Sequence, residues 1–230
     1  MTLFDHFALL GLFDAIAAAL IVLVWAVIGW RIEHPSAKHP SVTVLMSQRR
    51  RDWMKVFVTR EPRIFDSQIL AGLREATAFF ASTSFFAIGG VLALLGNTES
   101  LRGVAAEVSD TQVPELIWQM KLALVALFLT NGFLKFVWAN RVFGYCAVVM
   151  ASVPNDATDP IAFPRAAQAA ELNIRAAMNF NRGLRSMYFA LAALAWLLGP
   201  LALVIATFAA AWMIWAREFS STPRNVLLGD

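Results

Sequence analysis

The sequence predicts an all-α, polytopic membrane protein with four transmembrane helices and long helical cytoplasmic extensions. Of its 230 residues, 59% are hydrophobic and only 15% are charged. The mean hydropathy of +0.61 exceeds what a soluble domain of this size usually shows. Four apolar stretches are long enough for a hydrocarbon core about 30 Å thick, which takes about 20 helical residues to cross. They are residues 7–30, 77–95, 116–137 and 187–215.

The first apolar stretch predicts a membrane helix that the mature protein retains. It is too long for the core of a signal peptide, and no basic segment precedes it. It ends in Trp30 and Arg31 rather than in a cleavage site of small residues. We therefore expect a first transmembrane helix rather than a cleaved leader.

The second and third stretches have helical extensions on one side. Residues 64–76 lead into the second stretch, and residues 138–150 continue the third without a helix-breaking residue until Pro154. Small residues mark the second stretch, including Ser82, Ser84, Gly89 and Gly90. Such residues let membrane helices approach closely, so helix packing is the first interpretation of this surface and a hydroxyl-lined path is the alternative.

The last apolar stretch predicts one tilted or bent crossing. Its length of about 29 residues is too short for two crossings joined by a turn. Pro200 has no amide hydrogen and crowds the carbonyl of Trp196, so we expect a helix kink at Gly199 and Pro200. This kink serves helix packing in one interpretation and acts as a gating hinge in the other.

Basic residues predict the orientation of the helices. A single four-helix membrane domain covers residues 1–230, and its two helical connectors, 31–75 and 138–186, carry most of the Lys and Arg. The loop between residues 96 and 115 is acidic. Because cytoplasmic loops are enriched in Lys and Arg, we expect a multi-pass protein of the bacterial inner (plasma) membrane with cytoplasmic connectors and periplasmic termini. Arg182 and Arg185 then mark the cytoplasmic boundary of the last crossing, and Arg217 with Glu218 marks its outer boundary.

Two residues of opposite charge lie at similar depth inside the predicted spans. Asp14 and Lys121 are each about two helical turns from the outer end of their span. An intramembrane ion pair would lower the cost of placing both charges in the bilayer. In the alternative interpretation, each side chain reaches the membrane surface separately. Asn131 and Lys135 lie nearer the cytoplasmic end of the third span.

No residue pattern predicts a cofactor, a metal site or a catalytic site. His6, His34 and His39 lie outside the positions that a buried haem needs. The common nucleotide-binding, hydrolase and metalloprotease motifs do not occur. The single cysteine, Cys146, cannot form an internal disulfide. We therefore expect a protein that is not an enzyme.

Several motifs extend over nearly the whole chain. They are RRRDWM at residues 49–54, RIFDSQILAGLREATAFFAST at 63–83, NRVFGYCAVVMASVPN at 140–155, FNRGLRSMYFALAALAWLLGP at 180–200 and WAREFSS at 215–221. Together they resemble the bacterial and plant membrane family catalogued as domain of unknown function 599. The resemblance implies four helices and a membrane location, and the family has no established activity.

The family motifs direct attention to a cytoplasmic-face cluster of basic and aromatic residues. Arginine offers a planar fork that matches phosphate, so such a cluster could bind lipid phosphate or another anion. In the alternative interpretation, an arginine and glutamate network locks the helix extensions together. The cluster consists of Arg51, Arg74, Arg141, Arg182, Arg185 and Tyr188.

These features favour a structural or accessory membrane subunit that self-associates or packs on a larger complex. We expect membrane lipids and a homo-oligomer or membrane complex as its partners, and no nucleic acid. The alternative is an oligomeric channel or carrier for a small ion or solute. A transport path would have to be lined by Asp14, Lys121, Asn131 and Lys135.

Overall fold

The computed structural model describes residues 11–96 and 115–229, and every regular element in those ranges is a helix. The elements in chain order are α1 Leu12–Glu33, α2 Val42–Thr59, α3 Ile64–Gly96, α4 Glu115–Ala151, α5 Ala162–Leu194, a 3₁₀ turn Ala195–Leu198, α6 Pro200–Phe219 and α7 Thr222–Leu228. Residues 7–10 of the first predicted span and most of the acidic loop lie outside the described residues.

Four helical stretches are long and apolar enough to cross a membrane, which confirms the predicted fold class. They are α1, α3, α4 and the stretch Pro200–Leu228, which contains α6 and α7. α3 has 33 residues and α4 has 37, well beyond the roughly 20 that a bilayer requires. The predicted extensions are therefore continuous with their spans.

The chain folds into two compact units, each built from separated segments. The first, here named the span unit, comprises Met1–Trp30, Thr83–Gly132 and Leu184–Trp215. The second, named the connector unit, comprises Arg31–Ser82, Phe133–Gly183 and Ala216–Asp230. The connector unit thus contains most of both predicted connectors together with the C-terminal residues.

The span unit has a core of aromatic and aliphatic side chains. The ring of Phe128 in α4 lies edge-on to Trp25 of α1, with 5.7 Å between centroids, and 6.1 Å from the ring of Phe189 in α5. Leu203 of α6 is fully buried in the same unit. These contacts bring the buried faces of α1, α4, α5 and α6 together, while many of their other apolar side chains remain exposed.

The connector unit has a core of its own. Met54 and Val58 of α2 are buried with Phe143 and Cys146 of α4. α5 joins this core through small side chains, which allow a close helix approach; they are Ala162, Ala166, Ala169, Ala170 and Ala176.

Gly183 is a point of very close approach between α5 and α4. A Cβ atom at this position would lie 2.6 Å from Cε1 of Phe136. The Phe136 ring is fully buried, and the centroids of the Phe80 and Phe180 rings each lie 5.5 Å from it. Glycine is therefore required here by packing, within the RGLR motif.

The prediction of one continuous, bent helix over residues 187–215 is wrong. α5 ends at Leu194, the 3₁₀ turn follows, and Gly199 has φ 120° and ψ 169°, a conformation that residues with a side chain rarely adopt. Pro200 then begins α6, where its missing amide hydrogen is harmless because first-turn amides have no partner within the helix. Gly199 and Pro200 therefore separate two helices instead of bending one.

Contacts before and at the end of α6 correct the predicted boundaries. Trp196, just before the break, donates a hydrogen bond of 2.6 Å from Nε1 to Asp14 Oδ1, so the turn lies beside the residue expected near the outer end of the first span. Glu218, at the end of α6, accepts hydrogen bonds from Thr43 of α2, a helix of the basic connector. Glu218 is thus joined to a helix of the basic connector, whereas the sequence predicts it, with Arg217, at the outer boundary of the last span. The hydropathy profile does not predict the helix break, because the residues of the turn are themselves apolar.

Candidate functional site

The start of α2 is held by two polar side chains. Ser41 caps the helix by accepting a hydrogen bond from the amide of Val44, and its hydroxyl donates to the carbonyl of Ile32 at 2.7 Å. Glu218 accepts from the amide of Thr43 at 3.0 Å and from its hydroxyl at 2.8 Å. A carboxylate at this position satisfies an amide without a helical partner and matches the positive end of the helix dipole. Glu218 therefore acts as a remote cap for α2.

A bidentate ion pair joins the end of α1 to α5. The Arg182 guanidinium donates from Nε to Oε1 of Glu33 at 2.8 Å, and from Nη2 to Oε2. The Glu33 side chain is only 10% exposed and that of Arg182 is 39% exposed. Two parallel charge-assisted hydrogen bonds fix geometry as well as supplying energy, so this pair orients the start of the RGLR motif.

A buried polar chain links three helices of the connector unit. Arg50 of α2 donates to Asn173 Oδ1 of α5. Asn173 Nδ2 lies 3.8 Å from the Cys146 sulfur of α4, and that thiol donates to the carbonyl of Ala169 at 3.3 Å. Asn173 and Cys146 are fully buried. Burial lowers the pKa of Arg50, while the nearby Cys146 acts in the opposite direction, and the guanidinium stays charged at neutral pH.

A buried acid lies where α2 leads into α3. Asp66 is fully buried, and its Oδ1 accepts from Arg60 Nη1 at 2.6 Å and from the indole of Trp53. Its Oδ2 has no hydrogen-bond partner among the residues described. Nearby, Arg63 stacks on the Phe57 ring at 4.7 Å and donates to three carbonyls, those of Val58, Val153 and Pro154. The loop around the cis Glu61-Pro62 bond is thus tied to the end of α4.

Concave surfaces of the connector unit carry charged side chains, among them the following three. A cleft of about 240 Å³ is lined by Arg50 and Glu218, whose charged ends bind other side chains of the protein. A cavity of about 300 Å³ is lined by Arg63 and Arg74 over apolar residues. The third surface, of about 490 Å³ and here named the basic groove, is lined by Lys135, Trp138, Val142, Tyr145, Leu172, Arg175, Met178, Asn179 and Arg182.

The predicted cluster of basic residues does not form one site. Within the connector unit, Arg51 pairs with Glu171 at 2.9 Å, Arg141 donates to the Tyr145 hydroxyl, and Arg182 pairs with Glu33. Arg74 lines the separate 300 Å³ cavity, while Arg185 and Tyr188 belong to the span unit. The ion pairs of Arg51 and Arg182 match the alternative interpretation, in which arginines and glutamates hold helices together.

In the span unit, the structure brings the predicted Asp14 and Lys121 to one place. Asp14 receives its hydrogen bond from Trp196 rather than from Lys121. The Lys121 ammonium lies 5.9 Å from the centroid of the Trp196 ring and 5.3 Å from that of Trp118, which is within the range of cation–π attraction. Lys121 is 7% exposed and interacts electrostatically with Asp14. Trp196 is the neighbour that the two charged residues share.

The other residues of the predicted transport path are placed as follows. Asn131 Oδ1, in the span unit, accepts a hydrogen bond of 3.2 Å from the Ser186 hydroxyl of α5. Lys135 belongs to the connector unit and lines the basic groove.

Sequence reasoning missed three polar residues of the connector unit. Asn173 had a usable signal, because it falls on the alanine face of α5 at helical spacing from Ala166, Ala169 and Ala176. A polar residue on a buried face requires a partner. Glu218 had no such signal, because the sequence predicts the C-terminal end of the chain on the periplasmic side of the membrane. Arg175 had no signal in the sequence, because Glu171 lies four residues before it, at the spacing of a helical ion pair.

Among residues 11–96 and 115–229, no group of three or more His, Cys, Asp and Glu side chains could hold a metal ion.

Comparison with known proteins gives one informative result. A family model described as "Protein of unknown function, DUF599" matches residues 16–223. No curated protein and no solved structure shows significant similarity to the chain. Because the family model covers most of its length, this chain belongs to the DUF599 family of proteins of unknown function.

Proposed function

We propose that this protein is a non-catalytic subunit of the bacterial inner membrane that self-associates through α3. The proposal makes a second copy of the chain its first partner, and a larger membrane complex would be built on that assembly. The observation that carries it is a pair of adjacent glycines on α3 that packing among residues 11–96 and 115–229 does not explain.

Gly89 and Gly90 lie in the apolar part of α3 and both are exposed. A Cβ atom added to either would meet no heavy atom within 4 Å. Each glycine inside a helix costs roughly 1 kcal/mol relative to alanine. At Gly183 that cost has a reason, since the Phe136 ring fills the space. At Gly89 and Gly90 the described residues supply no such reason, and close approach of a second membrane helix would supply one.

The surroundings of the glycines support a helix partner. Only 11% of the most apolar window of α3 is buried. Phe86, four residues before Gly90, is 74% exposed, and Phe85 is 61% exposed. Large rings one turn away from small residues can fill the hollow that glycines leave on the facing helix. A two-fold pairing of α3 with itself would place such rings over such hollows twice.

The same proposal assigns the connectors to the cytoplasm, because they carry the excess of basic residues. Glu218 binds Thr43 within the connector unit, so we assign the C-terminus to the cytoplasm as well. This replaces the periplasmic C-terminus expected from the sequence. The N-terminus keeps its expected periplasmic position, so this proposal makes α5 and α6 a hairpin in which the C-terminal part of α5 is a fifth crossing, beside the four stretches that are apolar enough by hydropathy.

The transport alternative receives less support from the contacts. Asp14 and Asn131 each accept a hydrogen bond from a side chain of the same unit, Trp196 and Ser186 respectively. Lys121 is buried against tryptophan rings. Side chains held in this way support packing better than they support a hydrated path.

The experiment measures the mass of the purified chain in mild detergent by light scattering and in nanodiscs by native mass spectrometry. The wild-type protein is expected to be a dimer or a larger assembly, and Gly89→Leu/Gly90→Leu is expected to shift it to the monomer. Gly72→Leu is the matched control, because Gly72 also lies on α3 with no heavy atom within 4 Å of an added Cβ but precedes the apolar stretch. A monomeric wild type would exclude self-association, and ion flux through reconstituted vesicles would favour transport.

A further inference from the structure

The basic groove is a concave surface of the connector unit, formed by α4 and α5. Its volume is about 490 Å³. Three of its lining residues are cationic, and none is Asp or Glu: the cations are Lys135 of α4 and Arg175 and Arg182 of α5. A cavity with three positive side chains and no acid in its lining attracts an anion.

The three cations differ in how they are held. Arg182 is fixed by its bidentate pair with Glu33, which orients its guanidinium. Glu171, the acid at helical spacing from Arg175, pairs instead with Arg51 at 2.9 Å. The described residues offer no ion pair to the charged ends of Lys135 and Arg175. The groove therefore combines one positioned guanidinium with two cations that are available to a ligand.

The remaining lining suits a lipid rather than a freely soluble ion. Trp138 is 50% exposed and Tyr145 is 42% exposed, and rings of this kind settle at the depth of lipid headgroups. Lys135 and Trp138 come at the end of the apolar stretch of α4 that the sequence predicts to span the bilayer. Leu172 and Met178 add apolar surface from α5.

We propose that the basic groove binds a phosphate group, carried by an anionic phospholipid at the cytoplasmic leaflet. Lys135 and Arg175 contact the phosphate oxygens, Arg182, whose charge Glu33 balances, offers its remaining N–H donors at a fixed position, and Trp138 lies against the glycerol and upper acyl region. This site is independent of the self-association of α3. A free phosphate could satisfy the same cations, so the experiment separates the two sources.

The test uses the full chain in detergent, with native mass spectrometry as the readout of bound phosphatidylglycerol and, for comparison, phosphatidylcholine. Lys135→Gln/Arg175→Gln should retain about thirtyfold less phosphatidylglycerol than the wild type, given the usual contribution of each of the two basic residues near anionic lipid. The matched control, Lys38→Gln/Lys55→Gln, removes two exposed positive charges outside the groove and should retain as much as the wild type. Phosphatidylcholine retention should be unchanged in both variants.

Two further measurements test whether the variants fold and whether the bound phosphate belongs to a lipid or to a free anion. Phosphatidylglycerol should raise the unfolding temperature of the wild type more than phosphatidylcholine does, and Lys135→Arg, which keeps the charge, should preserve this effect. Millimolar inorganic phosphate should leave the lipid bound; displacement of the lipid by phosphate would assign the groove to a free anion and overturn the lipid proposal. Equal lipid retention by the groove variant and the wild type, or equal losses in both double variants, would contradict a phosphate site in this groove.

Discussion

Replacing Gly183 by alanine places a methyl group inside the aromatic cluster of the connector unit. The new Cβ would lie 2.6 Å from Cε1 of Phe136 and 2.8 Å from two other ring carbons, whereas non-bonded carbons prefer about 3.5–4.0 Å. The ring would have to move by about 1 Å. It is fully buried, with the rings of Phe80 and Phe180 beside it, so neighbouring side chains have to move too.

The expected cost follows from this geometry and from a matched control. Overpacking of a buried core typically costs about 1–3 kcal/mol, while alanine gains roughly 1 kcal/mol over glycine in a helix. Gly144 of α4 is also helical, but an added Cβ there meets no heavy atom within 4 Å. Gly144→Ala therefore shows the helical gain alone. We expect Gly183→Ala to be less stable than Gly144→Ala by about 1–3 kcal/mol.

The assay is equilibrium unfolding in mixed micelles, with tryptophan fluorescence as the signal. A third variant, Gly183→Ala/Phe136→Leu, tests the cause, because a smaller side chain gives the methyl group room. The destabilisation by Gly183→Ala should be smaller in the Phe136→Leu background than in the wild type. If Gly183→Ala were as stable as Gly144→Ala, the close approach of α4 and α5 described above would be refuted.

Two further predictions concern buried hydrogen bonds. Trp196→Phe removes the indole donor from Asp14 and should lower the free energy of unfolding by about 1.5–3 kcal/mol, the usual value for a hydrogen bond to a charged group. Asp14→Asn should then cost less stability in the Trp196→Phe background than in the wild type. Additive costs of the two substitutions would exclude the contact. Cys146 is fully buried, so maleimide labelling of the native protein should be very slow. Asn173→Ala should accelerate the labelling, because it removes a member of the buried polar chain. Rapid labelling of the wild type would contradict this packing.

The long helices were predictable because their signal is local. α1, α3 and α4 are continuous apolar or amphipathic stretches with few breaking residues, and their extensions carry basic residues that distinguish one side. The hairpin of α5 and α6 was not predictable in this way. Its turn, Ala195–Leu198 with Gly199, is as apolar as the helices on either side, so hydropathy has no gap there.

Polar residues of α5 also prevented the sequence from predicting that this helix extends into the span unit. Arg182 binds Glu33, Arg185 is 6% exposed and lies beside Gly29, and Ser186 binds Asn131. Polar groups that are buried against other helices do not need water, yet in a hydropathy profile they look like a membrane boundary. The sequence therefore divided α5 between the connector 138–186 and the predicted span 187–215, whereas the structure shows one helix over Ala162–Leu194.

The ion pairs of the candidate site were also not predictable from the sequence. Arg182 and Glu33 are separated by 149 positions, and no local pattern connects them. Glu171 and Arg175 have the spacing of a helical pair, but the acid binds Arg51 of α2. Which arginine remains available for a ligand is decided by tertiary packing, and only the structure distinguishes Arg175 from Arg51.

The hairpin of α5 and α6 is the central claim, because it places Trp196 beside Asp14 and Glu218 beside Thr43. The most direct test fuses green fluorescent protein or alkaline phosphatase after Gly199 and after the C-terminal residue 230, in a bacterial host. We expect phosphatase activity without fluorescence at 199, and fluorescence without phosphatase activity at 230, because in the proposed topology α6 returns the chain to the cytoplasm. Phosphatase activity without fluorescence at residue 230 would show a single crossing and contradict the hairpin.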